Sequence, residues 1–195
     1  MKNFGVLFLF AFLLVSCRKE TLPKPTSYLK LQYPESTYQK IESDCPYSFE
    51  ISNIANINFK NNCAASIEYP KLKATIYITY RPINNNLNEI LKEVEKLTFE
   101  HTLKADAIKA KPYENLEKRV FGKLYHIEGN VATNIQFRAT DSVNHVLSGA
   151  LYFYVRPNYD SILPAVKYIE KDIIHLIETL KWKNRKQLNI NTQKQ

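Results

Sequence analysis

Phe4 to Val15 is an unbroken apolar run of 12 residues with no polar position to give it a face. A membrane-spanning helix needs roughly 20 such residues, whereas the apolar segment of an export leader needs about 7–15. Lys2 precedes the run, and Arg18, Lys19 and Glu20 follow it closely, so it reads as a leader and not as an anchor helix. It closes on Leu14-Val15-Ser16-Cys17, the pattern of a lipoprotein cleavage box. The expectation is a signal peptide over 1–16, cleavage before Cys17 and lipid on Cys17. Ordinary cleavage that leaves Cys17 as a structural thiol is the competing reading; a small residue directly before a cysteine at the end of the run weighs against it. No later segment is apolar enough to span. Residues 17–27 then form a tether, stiffened by Pro23-Lys24-Pro25, and a single domain is expected over 28–183.

From Cys45 the pattern has period two. Tyr47, Phe49 and Ile51 alternate with Ser48, Glu50 and Ser52, which predicts a half-buried strand. Asn53 to Asn62 contains five asparagines and reads as a loop. Ser66 to Tyr69 is a short strand stopped by Pro70. Lys73 to Tyr80 is the clearest strand, with Ala74, Ile76, Ile78 and Tyr80 on one face and Lys73, Thr75, Tyr77 and Thr79 on the other. Asn86 is placed to cap a helix, with Glu89 three residues on. Leu87, Ile90, Leu91, Val94, Leu97 and Thr98 recur at helical spacing, His101 and Ala105 continue that face, and the helix is expected to stop before Lys111-Pro112.

The second half predicts strands over Leu124–Gly129 and Asn134–Thr140, then turn chemistry at Asp141-Ser142-Val143-Asn144. The next strand, His145 to Val155, is apolar or small on both faces, so it is expected to lie centrally, with Gly149 marking a bulge or close packing. A last helix is expected over Ile162–Trp182. Asp160 or Ser161 would cap it, Pro164 falls in its first turn, and Val166, Ile169, Ile173, Leu176, Ile177 and Leu180 form its buried stripe. The polar stretch 184–195 is expected to be disordered. The element order gives an α+β domain: a mainly antiparallel sheet of about five to six strands with two packed helices.

Composition changes this picture in few places. The formal charge of +8 is dispersed along the chain, which suits a solvated basic surface more than a dedicated anion site; a nucleic-acid partner is not expected in an exported protein. Cys45 and Cys63 remain after Cys17 and, in an export compartment, predict a disulfide contributing about 3 kcal/mol in the chain-entropy model. There is no glycine-rich phosphate loop, Gly-x-Ser-x-Gly elbow, Cys-x-x-Cys or His-Glu-x-x-His, so neither metal nor cofactor is expected. His101 with Asp106 is the one pairing that could act as a base and its orienting carboxylate, although a lone histidine on an apolar helix face is more often a core residue. His126 and His145 lack partners at motif spacing, and His175 with Asp172 and Glu178 reads as a solvated helix face. Of the 13 tyrosines, Tyr152 and Tyr154, on one face of the hairpin strand, are the candidate partner contacts.

Several longer stretches carry a resemblance. His101-Thr102-Leu103-Lys104-Ala105-Asp106-Ala107-Ile108, Cys45-Pro46-Tyr47-Ser48-Phe49, Pro70-Lys71-Leu72-Lys73-Ala74 and Ile135-Gln136-Phe137-Arg138-Ala139-Thr140-Asp141-Ser142 together resemble the GldD family of gliding motility lipoproteins. So do Gly149-Ala150-Leu151-Tyr152-Phe153 and Leu176-Ile177-Glu178-Thr179-Leu180-Lys181-Trp182. The resemblance implies an envelope lipoprotein required for gliding and type IX secretion; Arg18-Lys19-Glu20, which is not an acidic run after the lipid cysteine, points to the periplasmic face of the outer membrane. The resemblance also implies no enzymatic activity and partners among other gliding or secretion lipoproteins and outer-membrane components. A lipoprotein that binds or hydrolyses an envelope ligand through His101 and Asp106 is the alternative.

Overall fold

The computed structural model describes residues 33–100, 104–155 and 158–183. In chain order the strands of the first half are β1 (Tyr38–Ile41), β2 (Tyr47–Ser52), β3 (Asn56–Phe59), β4 (Ala65–Tyr69) and β5 (Ala74–Pro82), followed by helix α1 (Leu87–Phe99). The second half has β6 (Ala107–Asn115), β7 (Val120–Glu128), β8 (Thr133–Thr140), β9 (His145–Phe153), helix α2 (Tyr159–Thr179) and β10 (Lys181–Trp182). The α+β class and the two helices agree with the sequence. The strands number more than the expected five or six: seven form one sheet in the order β3-β4-β5-β9-β8-β7-β6, and three form a second, β1-β2-β10.

Register explains which residues make the core. In β5, Ala74, Ile76 and Ile78 point one way and stand across from Phe153, Leu151 and Gly149 of β9. The same face continues through Ile135, Phe137 and Ala139 of β8 and Ile67 and Tyr69 of β4. Val166, Ile169, Ile173, Leu176 and Ile177 of α2 pack on it, together with Leu180 and with Tyr47, Phe49 and Ile51 of the small sheet. Gly149 is required here by close packing: a Cβ at that position would lie 2.4 Å from the Phe137 ring. Cys45 and Cys63 are joined by a disulfide with Cα atoms 5.4 Å apart. The bond ties the entry of β2 to the β3–β4 hairpin, where Cys63 adopts φ 59° and its carbonyl accepts the Tyr47 hydroxyl at 2.6 Å.

Four expectations need correction. The Asn53–Asn62 loop contains β3, because Ile57 and Phe59 alternate inward while Asn56 and Asn58 face out on an edge strand. The α-helix that begins after Asn86 does stop before Lys111-Pro112, but at Phe99 and short of Ala105, and the stretch holding Lys111-Pro112 is the nine-residue edge strand β6. Proline lacks an N–H, which rules it out of a central strand but not out of an edge. The last helix starts at Tyr159 and ends at Thr179. Its cap is Asn158, whose side chain accepts from Ser161 N–H, so Pro164 falls inside the helix and not in its first turn. At α1, Asn86 holds the cap position, but its side chain accepts from Asn84 N–H at 2.9 Å and makes no cap bond.

Candidate functional site

The opposite face of the seven-stranded sheet is where side chains remain available. On β7–β9 it is partly covered by α1. Tyr125, Ile127 and Val146 are buried there with Ile90 of the helix. Glu95 of α1 accepts from Arg138 at 2.8 Å, Tyr125 at 3.2 Å and Lys123 at 3.3 Å. Burial alone would raise the Glu95 carboxyl, but the Lys123 and Arg138 charges prevail and hold it below its ordinary value. Thr98, fully buried, bonds the Val94 carbonyl at 3.0 Å and the Gln136 amide oxygen at 2.8 Å. These bonds clamp the helix over one half of the sheet.

The other half is less covered, and Tyr77 there is 42 % exposed. Tyr77 of β5, Tyr152 of β9 and Tyr154 just beyond it gather there. Tyr77 and Tyr152 meet edge to face with ring centroids 5.7 Å apart. Their adjacency follows from register, since Thr75 pairs with Tyr152 and Tyr77 with Ala150. The Tyr77 and Tyr154 hydroxyls are hydrogen-bonded to each other. That bond pushes the Tyr77 phenol up, while the Thr75 hydroxyl first and Tyr77 next pull Tyr154 down; either hydroxyl can be the donor. Tyr154 is 61 % exposed. Between this patch and the C-terminal half of α1 runs a groove of ≈ 530 Å³. Its floor is Thr79, Gln136, Ser148 and Ala150, and its walls are Tyr77 and Tyr152 on one side and Val94 and Leu97 on the other.

Cys17 and His101 lie outside the described residues. Asp106 is exposed, and its backbone N–H donates to the Glu128 carbonyl at 2.9 Å. Each described histidine has a partner distant in sequence. His126 meets Glu170 at 2.9 Å, His145 meets Tyr80 at 2.8 Å, and His175 meets Glu50 at 2.8 Å while stacking on Tyr38. Among the described residues no group of three or more His, Cys, Asp or Glu side chains is gathered to hold a metal. No described helix is long and apolar enough to cross a membrane.

Asp172 overturns the reading of a solvated face. It is 3 % exposed and accepts from the hydroxyls of Tyr38 at 3.1 Å, Tyr69 at 3.1 Å and Ser36 at 3.3 Å. Burial raises its carboxyl pKa despite those donors. Ser36 and Tyr38 belong to the stretch that enters the domain, so the carboxylate pins that stretch to α2. Stacking of Tyr33 on Tyr168 and a bond from the Tyr168 hydroxyl to the Pro34 carbonyl at 3.1 Å reinforce it.

Fold and surface together define a disulfide-bonded α+β domain with one sheet face sealed and the other open around tyrosines. Within that class the chain belongs to the gliding motility lipoprotein GldD family, whose model matches residues 18–182. No curated protein matches it.

Proposed function

We propose that the protein is a non-catalytic assembly or stabilising component of the gliding and type IX secretion machinery, held by lipid on Cys17 to the periplasmic side of the outer membrane. Membership of the motility lipoprotein family supports the setting, and the match beginning at Arg18, directly after Cys17, agrees with a mature chain starting at that cysteine. The observation that carries the reading is the open tyrosine face. A sheet whose other side is packed over its central strands, and which leaves Tyr77 and Tyr154 exposed, has a surface suited to contact. Other lipoproteins and outer-membrane components of the same machinery are the expected partners, with Tyr152 and Tyr154 as contact residues. Single aromatic anchors of this kind contribute about 2 kcal/mol or more when they are hot spots.

Deletion of the gene is expected to abolish spreading and cargo export and to lower partner lipoprotein levels; normal export from the deletion strain would overturn the assignment. Cys17→Ala is expected to lose labelled palmitate and membrane retention. The alternative, a lipoprotein that binds an envelope ligand, is favoured by one observation, the groove beside the tyrosines.

A further inference from the structure

We propose that the groove between α1 and the seven-stranded sheet binds a neutral, hydroxyl-rich chain: an envelope glycan built of N-acetylhexosamine units. The inference rests on the reading that this open face is the contact surface, and it adds to the protein partners proposed above a ligand for the groove that Tyr152 borders. The groove's ≈ 530 Å³ lies within the range of small-ligand sites, which combine apolar walls with a few convergent polar groups. The chain carries a formal charge of +8, yet among the described residues no lysine, arginine or histidine lines the groove, and the one charged lining residue among them is Glu100. An anionic ligand would therefore find no counter-charge among those residues.

The uncharged polar side chains that line it are of one kind. Thr79, Ser148 and the tyrosine hydroxyls each donate and accept, and the Gln136 amide offers both functions in one side chain. The Gln136 amide oxygen is held by buried Thr98, which fixes how the group is presented. A sugar hydroxyl also donates and accepts, so it matches such a lining more fully than a carbonyl or an ion does. Tyr77 and Tyr152 supply ring surface for the C–H faces of a sugar, and Val94 and Leu97 supply an apolar wall for N-acetyl methyl groups.

The two common ways of holding a polypeptide fit less well. An added β-strand needs a free edge, and β5, β9 and β8 under the groove are each paired on both sides. A docked amphipathic helix needs apolar pockets for its anchors, and the floor here is Thr79, Gln136, Ser148 and Ala150.

The test uses the full-length protein in a detergent without a sugar headgroup. It is titrated with tetra-N-acetylchitotetraose by calorimetry and saturation-transfer NMR, with a heparin fragment as the charged control. Saturable binding of the chitotetraose is expected, weakened at least about tenfold by Tyr152→Ala and by Thr79→Val and retained by Tyr152→Phe. Unchanged urea midpoints for these variants keep the loss attributable to the groove. No saturable binding at millimolar chitotetraose, binding of the heparin fragment alone, or binding indifferent to Tyr152→Ala would overturn the proposal. Cargo export by the Tyr152→Ala strain separates this failure from that of the contact-surface reading. Lost export without glycan binding leaves the surface reading standing with a protein occupant, whereas normal export without glycan binding removes both.

Discussion

The two faces of the seven-stranded sheet are made by the same strands, yet they end in different states. On the α2 side, Ile76, Leu151, Ile135 and Phe137 are at most 1 % exposed, and a 21-residue helix and a second sheet close over them. On the α1 side a 13-residue helix covers part of the sheet, and of its six-residue apolar stripe only Ile90 and Thr98 are buried. Leu97, which helical spacing places in the core, is 53 % exposed at the groove wall. The difference lies in the residues facing the helix. Aliphatic side chains opposite α2 give a seal driven by area removed from water. Glu95, Arg138, Lys123 and Thr98 hold α1 by directed bonds instead, and such bonds fix position without demanding full coverage. One face supplies stability, and the other keeps side chains free for a partner.

That contrast predicts unequal costs. Leu151→Ala, under α2, is expected to destabilise by about 2–5 kcal/mol in urea unfolding, because it opens a cavity in a closed core. Gly149→Ala sharpens the point: the backbone of Gly149 borders the groove, but its new methyl would enter the Phe137 ring on the sealed side. A cost of about 1–3 kcal/mol from overpacking is expected, with partial recovery when Phe137→Leu is added. A negligible loss would mean that the sealed face is looser than its packing indicates.

How much of this was legible follows the same division. The inward residues of β2, β4, β5 and β8, the stripe of α2 and the Asp141 turn follow from local periodicity, and the structure agrees because each is decided within a few residues. The central place of β9 was readable from its two apolar faces. What escaped depends on distant neighbours. Pro112 reads as a breaker until it is known that its strand is an edge. β1 and β10 are four and two residues long and exist only by pairing with β2. Asp172 shares a helix side with polar residues and looks solvated, since the hydroxyls that bury it come from Ser36, Tyr38 and Tyr69. Tyr152 and Tyr154 were candidates from sequence, but Tyr77 joins them only through the β5–β9 register, and Gln136 and Ser148 enter the groove the same way.

Acid titration separates two buried carboxylates. Asp172 has its pKa raised by burial, so the stability linked to it is fully present below the ordinary 3.8 and is lost as pH rises through the folded value. Asp141 behaves in the opposite sense. Burial would raise it, but the backbone N–H groups of Asn144, Val143 and His145 outweigh that and hold it low. Its stability is present above 3.8 and is lost as pH falls through the folded value. Urea midpoints of Asp172→Asn relative to the parent should improve with rising pH, whereas those of Asp141→Asn should improve with falling pH. Parallel curves for the two variants would refute the assignment.

The smallest effect is the most informative about the open face. Leu97 is an apolar residue on an amphipathic helix, and sequence spacing alone would give its replacement by serine the cost of a core substitution. In the structure its side chain borders the groove and loses little water on folding, while α1 is held by Glu95 and Thr98. Leu97→Ser should therefore shift unfolding by no more than about 0.5 kcal/mol, the usual range for surface changes. The exposed apolar wall then serves contact and not folding, so the same variant should lower partner or ligand affinity measurably with its urea midpoint unchanged. A loss of about 2 kcal/mol or more would place Leu97 in a closed core, and the distinction between the two faces would fail at that point.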